Sequence, residues 1–419
     1  MNEQTSRKLD LWVGVPLCWL LTGWLRLTAL FRSRKSHDAP PQKILFIKLS
    51  EMGAIVLTMP AFEAARRRVG AENLYCLMLA GNREVHDLLG VFRDEHLWSI
   101  RDRNLFAFAI DVWRFMRQAH REGIDCVIDL EGFSRISALL TALSGARLRV
   151  GLDRYTAEGL YRGQLFTRRV SYNYYNHASV QFLTMVEALD APHDEVPALK
   201  RRVSLDDYRL PIFQPRDDEV AATRELLQSR CGFLPESPLV ILNPNLIDLL
   251  PLRRWPRESF AALGQRILAD HPQATIVLTG LPEQRELSQE LAGEISHERA
   301  LSLAGETADV RSLVVLFTLA DLLITSDCGP AHMAALTEIP IVSIFGPETP
   351  RLYSPLSPHN HSLWAGLACS PCLHAFNHRK SACRDNVCMR AISVEDVYAA
   401  ARAACPALES QPGQTPAAP

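Results

Sequence analysis

The sequence reads KILFIKLSEMG from residue 43 to residue 53, and this stretch decides the fold class. Its apolar run from Ile44 to Leu49 predicts a short buried strand, because a helix would need a run of roughly ten residues or more. Ser50 to Gly53 then forms a turn, and the pattern from Pro60 to Val69 indicates a helix. A strand, a loop and a helix in this order are the repeating unit of an α/β fold with a parallel sheet.

The same unit recurs along the chain. Strands that alternate with helices predict parallel sheets covered on both faces. At 419 residues the chain is too long for one core, since single cores stop growing near roughly 250–300 residues. The charged, proline-bearing segment between about Lys200 and Pro238 marks the domain boundary. We predict Rossmann-like domains over residues 43–205 and 236–405, and a disordered tail over 406–419. The predicted strands are 44–49, 73–79, 97–100, 126–130, 239–243, 275–279, 300–303, 322–325 and 341–345, and the predicted helices are 60–69, 83–89, 106–122, 134–143, 218–230, 257–271, 282–295, 310–320 and 330–337.

Composition narrows the function classes. The 45 Lys and Arg residues nearly balance 47 Asp and Glu residues, so no basic field indicates a nucleic-acid partner. Any phosphate site must therefore be local. The ten cysteines are too sparse for a disulfide-stapled secreted module, which favours a reducing, cytoplasmic setting.

The N-terminal segment differs from the rest. From Leu11 to Leu25 nearly every residue is apolar, and three of them are tryptophans. The run is short for a helix that needs about 20 apolar residues to cross a bilayer. Basic residues flank both ends, and tryptophan favours the headgroup level. We predict that residues 1–35 form a monotopic or shallow re-entrant membrane anchor. A single membrane span and an apolar helix docked on the protein itself are the alternatives.

The strongest local signal is ITSDCGPAH, residues 324–332, which leads from a strand into a helix with Pro330 in its first turn. Helix N-termini present free N–H groups and a positive dipole end, so this loop is suited to phosphate. Gly329 lets the backbone approach a ligand closely. In the plainer alternative Asp327 is only the helix N-cap and His332 only a packing residue.

Two further loops follow predicted strands. After the strand 239–243 come Asn245 and the pair Arg253 and Arg254, whose guanidinium groups can grip a diphosphate with forked hydrogen bonds. Gly280 and Glu283 follow the strand 275–279, where a carboxylate can accept ribose hydroxyls. Solvent-exposed arginines and an ordinary first-turn glutamate are the alternatives. Because such loops gather at the carboxyl ends of the strands, a cleft between the two domains is the expected site.

A cysteine cluster lies near the C-terminus. Cys369, Cys372, Cys383 and Cys388 fall within twenty residues, a spacing typical of a tetrahedral structural metal site such as zinc. His374 and His378 could substitute as ligands. Disulfides and unligated buried thiols are the alternatives.

Together these segments resemble glycosyltransferase family 9, the heptosyltransferase family of lipopolysaccharide synthesis. The resemblance extends from Ile44 to about Val397. It implies a GT-B fold, in which two Rossmann-like domains face a central cleft, and an inverting mechanism that needs no metal. The stretches that carry it are KLSEMG at 48–53, VIDLEG at 127–132, RVG at 149–151, RRWP at 253–256, DCGPAH at 327–332 and IFGP at 344–347.

Position by position, the resemblance puts Asp327, Gly329 and His332 around the donor diphosphate and sugar. Arg253 falls where the family usually has a lysine, and Glu283 lies near its ribose-contacting carboxylate. A departing nucleoside diphosphate gains negative charge, which fixed cations and helix-end amides stabilise, so no cofactor is required for catalysis. The candidate donor-binding residues are Asn243, Asn245, Arg253, Arg254, Gly280, Glu283, Asp327, Cys328, Gly329 and His332.

The N-terminal loop departs from the family pattern. The family's general base is a carboxylate directly after the loop glycine, and here that position is Ala54, which cannot accept a proton. Glu51 in the same loop and Glu131 after the strand 126–130 are the replacement candidates, since a cleft carboxylate can act as base. The sequence slightly favours Glu131.

The expected function is transfer of a sugar, heptose in the best-known relatives, from a nucleotide-diphosphate donor to a lipopolysaccharide or other lipid-linked or polysaccharide acceptor. The enzyme would be peripheral or monotopic at the cytoplasmic face of a bacterial inner membrane. Because of Ala54, a catalytically inactive nucleotide-sugar-binding or scaffold protein is the alternative, followed by a nucleotide-sugar epimerase of the same fold. No G-x-G-x-x-G turn opens either sheet, which argues against a dinucleotide oxidoreductase.

Overall fold

The computed structural model describes residues 10–29, 39–49, 51–102, 104–132, 134–154, 160–192, 194–205, 208–245, 251–374 and 379–409. The predicted anchor and tail lie partly outside the described residues, at 1–9, 30–38 and 410–419, as do Ser50 and His378. The chain divides into two compact units, residues 1–208 and 209–419. The division falls inside the charged segment between Lys200 and Pro238.

Unit 1 is built on a six-stranded, all-parallel sheet with the order β3-β2-β1-β4-β5-β6. Its first and fourth strands are neighbours, so the strand order reverses between β1 and β4. Ligands of open α/β sheets bind at such a switch point, beyond the carboxyl ends of the strands. Every residue of β1 and β4 is buried, as expected for strands covered on both faces. The strands are β1 Ile44–Ile47, β2 Leu74–Leu79, β3 Leu97–Ile100, β4 Cys126–Asp129, β5 Leu148–Asp153 and β6 Arg168–Ser171.

Among the described residues of unit 1, seven α-helices precede, connect or follow these strands. The predicted helix at 60–69 begins one residue earlier, and the turn before it contains a further short helix. The side chain of Asn104 accepts a hydrogen bond from the backbone N–H of Phe106 and so caps the long helix that covers one face of the sheet. The helices are α1 Gly14–Ala29, α2 Met52–Leu57, α3 Met59–Val69, α4 Arg83–Leu89, α5 Leu105–Arg121, α6 Arg135–Leu143 and α7 Ala178–Glu187.

Unit 2 repeats this construction. Its sheet is all-parallel with the order β12-β11-β10-β7-β8-β9, so the switch point lies between β7 and β10. The strands are β7 Leu239–Asn243, β8 Thr275–Leu278, β9 Ala300–Ser302, β10 Leu322–Ser326, β11 Ile341–Phe345 and β12 Asn360–Trp364. The helices are α8 Asp217–Cys231, α9 Arg257–Asp270, α10 Arg285–Ile295, α11 Val310–Thr318, α12 Gly329–Ala334, α13 Pro350–Tyr353, α14 Val387–Arg390 and α15 Val394–Ala404.

The C-terminal end of the described chain is packed. Pro406–Leu408 form one turn of 3-10 helix, and Leu408 is fully buried in the core that contains Phe260 and Tyr398. The disordered tail was predicted to begin at residue 406. Residues 406–408 do not belong to it, because they form this turn and Leu408 is buried in the core.

The N-terminal helix lies on unit 1. Cys18 is fully buried in a cluster with Ala138, Ala142, Leu165 and Phe166, so one face of α1 is docked on the protein. Within the described residues, Asp10–Thr28 is the only segment that is long and apolar enough to cross a membrane. Length and composition alone are weak evidence for a span.

Candidate functional site

The predicted donor-binding loops of unit 2 meet at its switch point. Strand β7 lies between β10 and β8, and Asn243 at its end pairs in register with Thr325. The loops after these three strands therefore emerge side by side at the carboxyl edge of the sheet. They carry Asn245, Gly280 and Asp327.

The arginine pair is fixed next to the loop after β10. Trp255, almost completely buried, donates its backbone N–H to Ser326 Oγ at 3.2 Å and its Nε1–H to Ile392 O at 2.9 Å. Arg253, two residues before Trp255, lies beside Asp327, with 3.5 Å between Nη1 and Oδ2. Sequence analysis predicted both residues for one site, and the structure brings them together.

The other side of the arginine loop is also anchored. Asn386 Nδ2 donates to Arg254 O at 3.0 Å and to Leu252 O at 3.4 Å. The backbone of both arginines is thus held by the core on one side and by the loop before α14 on the other. Two guanidinium groups on an anchored loop can offer paired donors to a diphosphate with little loss of conformational entropy.

Two predicted donor-binding side chains point into the unit instead. Asn243 Nδ2 donates to Thr279 Oγ1 at 3.0 Å, and the Cys328 thiol lies 3.1 Å from Thr325 Oγ1 and 3.8 Å from Asn243 Oδ1. Burial raises the pKa of Cys328 to about 12, so the thiol is a neutral hydrogen-bonding group. This network ties the ends of β7, β8 and β10 together. Direct contact of Asn243 or Cys328 with a donor remains a prediction.

The helix after β10 is shorter than predicted. It spans Gly329–Ala334, with Pro330 in its first turn and Cys328, rather than Asp327, as the N-cap. His332 is buried on this helix. A six-residue helix has few aligned peptides, so its dipole offers less positive charge to an anion than the longer predicted helix would.

The loop after β8 holds Gly280 and Glu283, the remaining residues that were predicted to bind the donor. Gly280 O accepts a hydrogen bond from Gly305 N at 2.9 Å, and a Cβ at Gly280 would lie 2.5 Å from Gln284 Oε1. Only glycine fits there without displacing Gln284. Glu283 is exposed in the 3-10 helix Pro282–Gln284. Its exposure agrees with a ribose contact and equally with an ordinary first-turn glutamate.

At the switch point of unit 1, Glu131 is held in an ion pair. Its Oε1 accepts hydrogen bonds from Lys48 Nζ and from Leu49 N, both at 2.8 Å. The Lys48 side chain is only 3% exposed, so this is a buried pair that joins the residue after β1 to the second residue after β4. Sequence analysis named Glu131 and missed Lys48, although a lysine at the end of an apolar strand is itself a signal of a buried partner.

A second ion pair lies beneath the first. Arg162 Nη1 and Ser137 Oγ each lie 2.9 Å from Asp129 Oδ2, and Glu131 N donates to Asp129 Oδ1. Complete burial raises the pKa of Asp129 to about 6, although Arg162 and Ser137 both favour the ionised form. Asp129 therefore orients the backbone of Glu131. No local sequence pattern indicates Arg162 as its partner.

Glu51 has a different environment. It is exposed immediately before α2, with a φ of 64°, which is rare for a residue other than glycine. Such backbone strain persists only where the surroundings enforce it and is common at functional sites. Ala54 lies within α2, three residues further on.

The four clustered cysteines line one cavity of about 280 Å³. Cys388 is buried, which raises its pKa, while Cys369 and Cys383 are exposed. All ten cysteines are free thiols. Within the described ranges, no three His, Cys, Asp or Glu side chains are arranged to hold one ion. The cavity thus brings the predicted ligands together without forming a tetrahedral site.

The chain is similar in sequence to known sugar transferases. The sequence profile of glycosyltransferase family 9 (heptosyltransferase) matches residues 112–382. Lipopolysaccharide heptosyltransferase 2 of Salmonella typhimurium is 28% identical over 154 residues, which are 36% of this chain and 43% of that protein. Lipopolysaccharide heptosyltransferase 1 of Pseudomonas aeruginosa is 24% identical over 342 residues, which are 79% and 86% of the two chains. The match therefore spans less than half of the first relative.

Solved structures share the fold. The structure of Escherichia coli ADP-heptose lipopolysaccharide heptosyltransferase II has a TM-score of 0.65 at 17% identity and covers 88% of this chain and all of that one. A glycosyltransferase family 9 structure from Veillonella parvula has the same TM-score at 19% identity, covering 89% and 100%. This likeness confirms the predicted GT-B fold.

Proposed function

Because the chain belongs to glycosyltransferase family 9, we propose that it transfers a sugar, heptose or a related one, from a nucleotide-diphosphate donor to a lipopolysaccharide or other lipid-linked or polysaccharide acceptor. The single observation that carries this proposal is the position of Arg253. Its guanidinium lies beside Asp327, on a loop anchored to Ser326 at the switch point of unit 2. A fixed cation at that point is suited to a departing diphosphate.

Charge stabilisation of the leaving group is the proposed task of unit 2. When the bond to the anomeric carbon breaks, the departing nucleoside diphosphate gains negative charge, and preorganised donors stabilise it without reorganisation. Arg253 and Arg254 would supply forked N–H donors, and Asp327 would hold Arg253 in orientation before the donor binds. Protein cations can thus do what a divalent metal does elsewhere, which supports the metal independence that the family resemblance implies. Attack by the acceptor hydroxyl on the face opposite the leaving diphosphate would invert the anomeric carbon.

For the general base we propose Glu51 ahead of Glu131. Sequence analysis slightly favoured Glu131, but its Oε1 already accepts hydrogen bonds from Lys48 and Leu49. These bonds connect Glu131 to the residues that precede Ser50 and Glu51, so Glu131 would position the loop. Glu51 is exposed and held in a strained conformation, which supports a role in taking the proton of the acceptor hydroxyl.

Glutamine substitutions test this assignment. We expect Glu51→Gln to lower kcat about 10²- to 10⁴-fold, since a positioned base contributes roughly that much, with donor affinity unchanged. Glu131→Gln should mainly raise the acceptor KM. In the double variant Glu51→Gln with Ala54→Asp, a carboxylate at the position the family uses should restore much of the rate. If Glu51→Gln transfers sugar at the wild-type rate, Glu51 is not the base.

Ala54 also motivates the competing proposal, an inactive nucleotide-sugar-binding protein. That protein would bind the donor and gain thermal stability from it, yet turn over nothing with any acceptor. A thermal-shift screen against nucleotide sugars, followed by transfer assays with those that bind, separates the two proposals. Release of a free sugar or an isomer without acceptor would instead indicate an epimerase.

We also propose peripheral or monotopic attachment to the cytoplasmic face of the inner membrane through α1. This proposal rests on the apolar sequence of the helix and on the membrane-linked acceptors of the relatives. Membrane fractionation of the chain with and without residues 1–35 tests it. Wild-type chain recovered entirely in the soluble fraction at low salt would contradict attachment.

A structural zinc at Cys369, Cys372, Cys383 and Cys388 remains a separate proposal. It is supported by their spacing and by the cavity they share, and it requires movement of the exposed thiols. Metal analysis of the purified protein should find about one zinc per chain, reduced in the Cys372→Ser variant. Protein that is folded and free of metal after purification in zinc would refute this proposal.

A further inference from the structure

Helix α1 has two faces of different character. Gly14, Cys18 and Thr22, spaced four residues apart, lie on the face that packs against unit 1. The other face exposes large apolar side chains, among them Trp19, which is 68% exposed. Such a stripe left open on a docked helix is typical of a helix that lies in a membrane interface. The other exposed members on α1 are Leu17, Leu20, Trp24 and Leu27, and the exposed residues Leu11, Trp12 and Val13 directly precede the helix.

Polar contacts fix this orientation. Asp10 pairs with Arg135 at 2.7 Å, and both side chains are largely buried. Thr22 Oγ1 accepts a hydrogen bond from Gln164 N at 3.0 Å. Gly163 has a φ of 63°, and a Cβ there would lie 2.3 Å from Thr22 Oγ1, so the helix and this loop are in close contact. If the helix crossed a bilayer, all these contacts would have to break. The docked helix therefore lies along the surface of unit 1.

A cavity of about 670 Å³ opens between α1 and the segment that connects β5 to β6. Its helix wall includes Trp19, Trp24 and Leu27, which are all exposed. A volume of this size accommodates a small molecule or the headgroup of a larger one. The cavity thus borders directly on the apolar stripe that would face the acyl chains.

Cationic side chains also line the cavity, from α1 and from the facing segment. Arg26 donates to Gln164 Oε1 at 2.7 Å, and the Arg154 guanidinium lies 5.9 Å from the Tyr161 ring centroid. Among the residues that the structure describes, neither of these two arginines forms an ion pair with a carboxylate. The other two arginines that line the cavity, Arg162 and Arg169, are paired with Asp129 and Asp153.

We propose that this cavity binds the headgroup of one anionic phospholipid, such as phosphatidylglycerol. The phosphate would lie between Arg26 and Arg154, since forked guanidinium donors match phosphate oxygens. The acyl chains would leave along Trp19, Trp24 and Leu27 into the bilayer. The bound lipid would set the depth and orientation of unit 1 at the membrane. This inference rests on the proposed membrane attachment and is independent of the transferase reaction.

Calorimetric titration with a monomeric short-chain phosphatidylglycerol tests the cavity directly. We expect saturable binding to the full chain, and about 30-fold weaker binding to the double variant Arg26→Gln with Arg154→Gln, since each cation near an anionic lipid contributes roughly fivefold. The control variant Arg117→Gln loses the same charge at an exposed position of α5, outside the cavity. It should bind the lipid as the wild type does. Short-chain phosphatidylcholine and inorganic phosphate should not compete.

Vesicle flotation distinguishes headgroup binding in the cavity from general attachment of the protein to membranes. The wild type should bind phosphatidylcholine vesicles weakly and vesicles containing phosphatidylglycerol strongly, and the double arginine variant should lose this preference. Equal binding of both lipids, or inorganic phosphate that competes as well as the lipid, would overturn the headgroup site while leaving attachment standing. If the wild-type chain does not float with vesicles of either composition, both the attachment and the headgroup site would be overturned. Trp24→Ala should weaken vesicle binding, whereas Trp113→Ala, an exposed tryptophan on α5, should not.

Discussion

Arg253 occupies the position where the family resemblance implies a lysine. A lysine ammonium is a point charge, whereas a guanidinium presents planar, paired donors and stays charged at any physiological pH. The contact with Asp327 at 3.5 Å uses one side of that group and keeps it oriented. At this site arginine and lysine should therefore not be equivalent.

The Arg253 prediction follows from leaving-group stabilisation. We expect Arg253→Ala to lower kcat/KM for sugar transfer about 10²- to 10³-fold, and Arg253→Lys to lower it about tenfold, because a point charge replaces part of the lost stabilisation. Arg266→Ala removes an exposed arginine from α9 and serves as the control. Steady-state kinetics with each variant checks this. An Arg253→Ala enzyme as active as the control would mean that Arg253 does not contact the diphosphate.

Helix α8 is fixed to α11 by one carboxylate. Glu219 receives hydrogen bonds from Arg311 at 2.5 and 3.0 Å and from Arg216 N at 2.8 Å. The Arg311 hydrogen bond is the largest cause that lowers the pKa of Glu219, to about 2. Because the folded-state pKa lies below the usual 4.5, this stabilisation is present above pH 4.5 and is lost as the pH falls through 2.

Glu219→Gln should therefore lower the free energy of unfolding at pH 7 by about 1–2 kcal/mol, a figure reduced for partial solvent screening. The difference from wild type should shrink as the pH falls from 4.5 towards 2. Urea unfolding at several pH values measures it. Glu225→Gln, an exposed change on the same helix, should have almost no effect at any pH. A Glu219→Gln deficit that does not change with pH would contradict the electrostatic origin.

Docking of α1 depends on Gly163. An added Cβ would meet Thr22 and the backbone of Cys18, whereas at Gly123, which has a similar φ of 66°, it would meet open space. Both Gly→Ala changes should cost about 1 kcal/mol from the left-handed backbone, and only Gly163→Ala should also increase hydrogen exchange in α1. Equal exchange in the two variants would show that the contact at Gly163 does not hold the helix.

Strands with continuous apolar runs and even the short edge strands β3 and β9 could be predicted from the sequence, whereas strands interrupted by charged or polar residues could not. Strands such as Leu239–Asn243 are continuous apolar runs because both faces are buried. By contrast, β5, β6 and β12 were missed, because charged or polar residues interrupt their sequences LRVGLD, RRVS and NHSLW. Helices α7 and α15 were also missed. Such strands receive their structure from neighbouring strands, which a local pattern does not contain.

The candidate site could be predicted only in part, because strand order fixes the positions of the loops and leaves the side-chain partners open. Loops that follow strands meet wherever the strands are neighbours, so the approach of Arg253 and Asp327 follows from sheet topology. Side-chain partners do not follow from it. Lys48 with Glu131 and Arg162 with Asp129 form only after the chain has folded, and nothing in the local sequence pairs them.

The two units of the molecule share one construction. Each has six parallel strands whose order reverses between its first and fourth strand, and each carries its candidate groups at that point. An ion pair lies there in each unit, Lys48 with Glu131 in unit 1 and Arg253 with Asp327 in unit 2. In the proposed reaction, Glu51 beside the first pair would serve the acceptor and Arg253 of the second pair would hold the donor.

The most direct test is mass spectrometry and NMR of the product formed from ADP-heptose and a lipopolysaccharide acceptor lacking outer heptose, with a metal chelator present. We predict an acceptor that is heavier by one sugar unit, whose new bond has the anomeric configuration opposite to that of the donor, and one ADP released for each transfer. ADP-sugar that binds without turnover across a panel of donors and acceptors, or a sugar released in the absence of acceptor, would contradict the proposed transferase.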